Sequence, residues 1–205
     1  MNKIYIIGVT GSICSGKSRL CKVFQKKGIP TIDSDKIGHE IMEEQSTIES
    51  LTTHFGKEIL DESTNQIDRK KLGGIVFNQK KKLQQLNEIM WDKIEERIKQ
   101  QIDQLQQNGH HVVVVEAALL IKTKWMQWMD AIWVTTISPV IATERMKVGR
   151  NLTEIECKKR IRNQPNSKQY AKYADVLFDT RYNRKTLEKT FEKEIDTLLI
   201  ELNKN

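Results

Sequence analysis

Apolar residues in this chain follow two patterns. The first is the short block: Ile4, Ile6, Ile7 and Val9; Thr31 and Ile32 after Pro30; four valines at 112–115; Ala131-Ile132-Trp133-Val134; and Val176-Leu177-Phe178. Blocks without polar alternation predict strands covered on both faces, as in a parallel sheet. The second is helical spacing. Leu20, Val23 and Phe24 predict a helix that ends at Gly28. Leu83, Leu86, Ile89, Met90, Ile94, Ile98, Ile102 and Leu105 form one long stripe that predicts an amphipathic helix, closed by Gly109 and packed through its apolar face. Leu187, Phe191, Ile195, Leu198, Leu199 and Leu202 predict a last helix lying back on the sheet. No core strand is evident from about residue 37 to 107. Strands and helices otherwise alternate, so the fold class is α/β.

The first block runs into G-x-x-x-x-G-K-S, from Gly11 through Ser12, Ile13, Cys14, Ser15, Gly16 and Lys17 to Ser18. Strand, glycine-containing loop and helix start is the setting of a P-loop. Successive main-chain N–H groups there cradle phosphate oxygens, and the helix dipole adds positive potential. Lys17 is positioned to reach the β- and γ-phosphates, and Ser18 to offer its hydroxyl to Mg²⁺. ATP and Mg²⁺ are therefore the expected cofactors. Cys14 reads as a small residue filling a glycine slot in this loop or as a thiol made reactive by the neighbouring N–H groups, in that order.

Ligands of open α/β sheets sit beyond the carboxyl ends of the strands, and three acids fall there. Asp33 follows the second strand, where a carboxylate can orient or accept the proton of an attacking hydroxyl. Asp35 reads equally as a substrate ligand and as the N-cap of the next helix. Glu116 follows the valine strand, where it either binds Mg²⁺ through water or hydrogen-bonds the loop. Between Arg145 and Lys168 the chain is rich in Arg and Lys, including Arg150. That segment reads as a mobile lid over the triphosphate, as a solvated face, or as a nucleic-acid surface, in that order; no aromatic residue interleaves it for stacking. Arg69 opens a basic stretch in the strandless segment, which fits an anionic second substrate.

With 205 residues, 38% hydrophobic and 30% charged, the chain suits one soluble domain with small insertions. It contains no apolar run near the roughly 20 residues of a membrane span and begins with no signal-peptide pattern. Cys14, Cys21 and Cys157 make no CxxC pair, so a reducing, cytoplasmic setting is expected. The net charge of +7 favours anionic partners.

The ordered motifs resemble those of dephospho-coenzyme A kinases over nearly the whole length. They are Gly8-Val9-Thr10-Gly11 into Gly16-Lys17-Ser18, Gly28-Ile29-Pro30-Thr31-Ile32-Asp33-Ser34-Asp35, Ile67-Asp68-Arg69-Lys70-Lys71-Leu72, Ala117-Ala118-Leu119-Leu120, Gln164 and Ala174-Asp175. Ile89-Met90-Trp91, Glu116-Ala117-Ala118 and Trp125 are similar to the kinase domain of animal bifunctional coenzyme A synthase. The resemblance implies a P-loop NTPase fold of three layers with a five-stranded parallel sheet. It also implies a core of about 1–56, 109–138 and 171–205, an inserted helical acceptor-binding subdomain of about 57–108, and a helical lid of about 139–170. The implied reaction moves the γ-phosphate of ATP to the ribose 3′-hydroxyl of dephospho-coenzyme A. Gly11 to Ser18 would hold ATP, Asp33 would act on the hydroxyl, and Asp35, Arg69 and Glu116 would meet the acceptor. Lys17 and Arg150 would join Asp33 in catalysis, with Arg145 also on the nucleotide. The family's lid usually reads Arg-Asp-Gly, whereas this chain has Gly149-Arg150-Asn151, which leaves both lid arginines as candidates. Ser12 and Cys14 stand where many members carry glycine, and Thr180 where Asn is common. A monomer is expected, with no nucleic-acid or membrane partner. The alternatives are another P-loop kinase acting on a nucleoside or nucleotide, and a nucleotide-dependent nucleic-acid-binding module.

Overall fold

Five parallel strands carry the phosphate loop. They are β1 (Tyr5–Gly11), β2 (Thr31–Asp33), β3 (Val112–Glu116), β4 (Ala131–Thr136) and β5 (Val176–Asp179), in the order β2-β3-β1-β4-β5. The computed structural model describes residues 3–77 and 79–204. These divide into two compact units, Met1–Asp33 with Gln104–Asn205, and Ser34–Asp103. The sheet belongs to the first. Every predicted apolar block forms its strand, and Val113, Val114 and Val115 are fully buried, as a strand covered on both faces requires.

On the sheet lie α1 (Lys17–Lys26) and α9 (Arg184–Leu202). Leu20, Val23 and Phe24 of α1 and Leu187, Phe191 and Ile195 of α9 join Ile7, Val9, Val114 and Trp133 in one core. A chain of rings runs through it: Phe24 to Trp133 at 5.1 Å, Trp133 to Phe178 at 5.7 Å, and Phe178 edge-on to Phe191 at 4.8 Å. Such pairs add about 0.5–1.5 kcal/mol each beyond area burial. The predicted stop of α1 is a Schellman closure. Gly28 has φ 77°, its N–H reaches Gln25 O at 3.0 Å, and that of Ile29 reaches Phe24 O at 3.1 Å. The stretch with Trp125 and Met129 also fills core. Leu120 and Met129 stand 2.6 and 2.9 Å from where a Cβ on Gly8 would be, and Trp125 is buried.

The basic segment folds as α6 (Pro139–Arg150), α7 (Glu154–Arg162) and α8 (Ser167–Ala171). Ala142 and Met146 of α6 and Cys157 of α7 are buried, which anchors the pair. Asn151, at φ 50°, ends α6, and a reciprocal cap of Thr153 with Glu156 starts α7.

The second unit is helical: α2 (Ser34–Met42), α3 (Gln45–Phe55), α4 (Arg69–Val76) and α5 (Lys80–Gln107). This compact unit, Ser34–Asp103, differs in extent from the acceptor-binding insertion of about 57–108 expected from sequence. The unit begins at Ser34 because α2 and α3 pack within it. Ile94 of α5 lies 3.3 Å from where a Gly38 Cβ would stand, and Arg97 of α5 pairs with Glu44 at 2.7 Å. The unit closes at Asp103, inside α5. The long stripe is less buried than predicted. Only Met90, Ile98 and Ile102 of α5 are buried, while Leu83, Leu86, Ile89 and Ile94 are half-buried. At ~1.5 Å per residue a 28-residue helix is about 42 Å long, far longer than α2, α3 or α4, so they cover part of it.

Candidate active site

Residues 11–18 wrap from the end of β1 into α1. Gly11 pairs with Thr135 of β4, and a Cβ on it would stand 2.0 Å from the Thr135 carbonyl oxygen, so no other residue fits. Ser15 Oγ and Thr135 Oγ1, both buried, hydrogen-bond at 2.7 Å and pin the middle of the loop to the sheet. Gly16, at φ 92°, turns the chain into α1. Cys14 is left-handed at φ 57° without being glycine. Lys17 Nζ donates to Gly11 O at 3.0 Å and Ser12 O at 3.3 Å, which places its ammonium over the loop.

Two strand ends bring carboxylates to this loop. Asp33 closes β2 directly opposite Glu116, which closes β3. Ser18 Oγ donates to Glu116 Oε1 at 2.9 Å. Cys21 lies buried on the same face of α1, one turn on. Burial holds its thiol protonated, Glu116 and Asp33 act in the same direction, and Lys17 opposes them, so three charges converge on one spot. The oxygens of Ser18 and Glu116 suit a hard cation such as Mg²⁺. Among the described residues no three metal-ligating side chains cluster, so a cation here would take its other ligands from phosphate and water.

A cleft of about 740 Å³ opens along the loop within the first unit, and its walls include Cys14, Lys17, Arg145, Arg150, Tyr182 and Arg184. Arg145 is tied into it, donating to Cys14 O at 3.0 Å and Thr180 O at 2.7 Å. Burial, then the charge of Arg19, lower its pKa. The fold thus brings both candidate lid arginines to one cleft with the phosphate loop.

Asp35 and Arg69 lie in the second unit. The N-cap reading of Asp35 is overturned: α2 begins at Ser34, so Asp35 sits inside the first turn, where a carboxylate favours the helix dipole. Arg69 is the first residue of α4, whose N-cap Asp68 accepts from Lys70 N at 2.8 Å and Lys71 N at 3.2 Å. Asp175, part of the resemblance, is structural: its carboxylate accepts from Ile132 N at 2.7 Å at the start of β4.

A family model described as Dephospho-CoA kinase matches residues 5–186. The chain belongs to the dephospho-CoA kinase family. A dephospho-CoA kinase of Lactobacillus johnsonii is 39% identical over 161 residues, which is 78% of this chain and 81% of that protein. Another from Shouchella clausii is 33% identical over 193 residues, 94% and 96% of the two chains. Among solved structures, TT1252 from Thermus thermophilus superposes with a TM-score of 0.83 at 22% identity, covering 98% of this chain and 99% of its own. At that identity the likeness establishes the fold.

Sequence reasoning passed over Thr135, Tyr182 and Arg184, and noted Thr180 only as standing where Asn is common. Thr135 carried one signal, a polar residue at the carboxyl end of an apolar strand. Thr180 and Tyr182 lie in the turn after β5 and Arg184 opens α9, and their approach to the loop depends on the β1–β4–β5 order.

Proposed function

We propose that Asp33 orients the ribose 3′-hydroxyl of dephospho-coenzyme A and takes its proton, while Lys17 and the loop amides hold the phosphates of ATP. The overall activity is that of the family, ATP-dependent phosphorylation of dephospho-coenzyme A in coenzyme A biosynthesis. The hydroxyl oxygen bonds to the γ-phosphorus, the bond to the bridging oxygen breaks, and ADP leaves with that electron pair. The proton passes to the Asp33 carboxylate and on to water. Arg145 and Arg150 face the negative charge that spreads over the transferring group, and the lid of about 139–170 keeps water from competing as acceptor. Mg²⁺ held at Ser18, and at Glu116 directly or through water, would supply charge neutralisation on the phosphates. Arg69 and Asp35 are assigned to the acceptor.

The observation that carries this reading is the pairing of Asp33 with Glu116, one strand end away from the carboxylate that touches Ser18 of the phosphate loop. Purified protein with Mg-ATP and dephospho-coenzyme A should release ADP in step with coenzyme A. ADP release at a rate indifferent to the acceptor would remove this substrate assignment.

A further inference from the structure

A small cavity of about 50 Å³ lies in the first unit beside the phosphate loop, lined by Ser12, Ile13, Ile137, Pro139 and Gln164 among others. Two polar atoms in its wall, Ser12 Oγ and Gln164 Oε1, are buried with no hydrogen-bond partner. The neighbouring polar groups are engaged: Ser167 Oγ donates to Ile137 O at 3.2 Å, and Asn166 Oδ1 accepts from Gln169 N at 2.9 Å. Buried polar atoms are nearly always paired, so two orphans facing one cavity call for an occupant. Gln164 Oε1 only accepts, and Ser12 Oγ both donates and accepts. A neutral molecule that donates to one and bonds the other satisfies both. The volume exceeds the ~10–15 Å³ that a water needs.

We infer that this cavity is a built water site, through which Gln164 is a positioning residue for the phosphate loop. Ser12 is the loop's second residue, directly after Gly11. Gln164 follows the last turn of α7, with its N–H on Ile161 O at 3.3 Å and the buried Pro165 behind it. One shared water therefore ties the carboxyl end of a lid helix to the start of the loop. The tie makes loop shape depend on lid position. This inference rests on the reading of residues 11–18 as the ATP cradle.

A high-resolution crystal structure of the full chain should show one ordered water within about 2.7–3.2 Å of both atoms. A dry cavity, or a Gln164 amide bonded elsewhere, would overturn the inference. ATP affinity, measured by calorimetry without acceptor, supplies an independent arm. Gln164→Met keeps length and removes the acceptor, and should weaken ATP about threefold to tenfold, as should Ser12→Ala. The double variant should lose no more than the weaker single, because both act through one water, whereas losses that multiply would reject the link. Amide exchange at residues 13–16 should quicken in Gln164→Met. Unlinked variants in an enzyme that makes coenzyme A would end the water site alone. Linked variants in a chain that ignores dephospho-coenzyme A would end the substrate reading alone.

Discussion

Asp33 occupies the last position of a three-residue strand, so a sheet rather than a loop fixes where its carboxylate begins. Asp33→Asn keeps the size and removes the proton acceptor. Turnover should fall about 100-fold or more while ATP affinity holds, read from an ADP assay beside calorimetry; intact turnover would exclude Asp33 from the chemistry. Cys14 poses a different question. A left-handed L-residue costs roughly 1–2 kcal/mol, against roughly 0.5–1 kcal/mol of extra chain freedom that glycine would bring. Cys14→Gly should therefore stabilise the protein slightly, raising the melting temperature by about 1–4 °C. Because Cys14 lines the cleft, alkylating it should block ATP, and ATP should slow the alkylation; equal rates with and without ATP would rule that out. Residues 11–18 were legible because their chemistry is local in sequence. Glu116 was legible by the strand-end rule although it meets Ser18 from 98 positions away. Thr135 was not, since its contact with Gly11 exists only through the β1–β4 register.

Capping chemistry decides where α7 begins. Thr153 N donates to Glu156 Oε2 at 2.8 Å and Glu156 N to Thr153 Oγ1 at 3.3 Å. Thr153→Ala should cost about 1 kcal/mol, seen as a lower denaturation midpoint. In the second unit, Asp61 Oδ1 accepts from Ser63 N and Thr64 N, both at 3.0 Å, inside a turn closed by the Leu60–Ile67 bridge. Hydrogen bonds from Ser63 and Thr64 bring its pKa down from 3.8 to about 2. A depressed carboxyl pKa stabilises the fold above the unfolded value and ceases to do so as pH falls toward the folded one. The turn should loosen between about pH 4 and 2, and Asp61→Ala should flatten that dependence in an NMR titration. Helix periodicity announced α5 well. It could not announce how much of the stripe is covered, which depends on the lengths of the partner helices.

The charge of the whole molecule and its two-unit division answer different questions. The chain carries a net charge of +7, and the lining of the cleft includes Arg19, Lys22, Lys26, Arg145, Arg150 and Arg184 beside the carboxylate Glu188. ATP at 100 times its dissociation constant should add about 2.7 kcal/mol and raise the melting temperature by about 5–10 °C. Rising salt should erode that gain, as screening demands; a salt-independent shift would mean that the cations do not meet the phosphates. The division at Ser34 was hidden from sequence reading. Asp33-Ser34-Asp35 reads as one acidic motif, yet the first of these ends a strand of one unit and the others open a helix of the next.

Lys17 has a role that its charge alone does not describe. By bridging the peptide oxygens of Gly11 and Ser12, its side chain acts as a strut across the bend that it crowns. On the function proposed above, an arriving polyphosphate would find a shaped ring whose clasp trades one set of oxygens for another, and would not meet a loose cation on a slack thread. Deleting that side chain would take away the keystone as well as the magnet, so the defect of such a variant could not be ascribed to lost attraction alone.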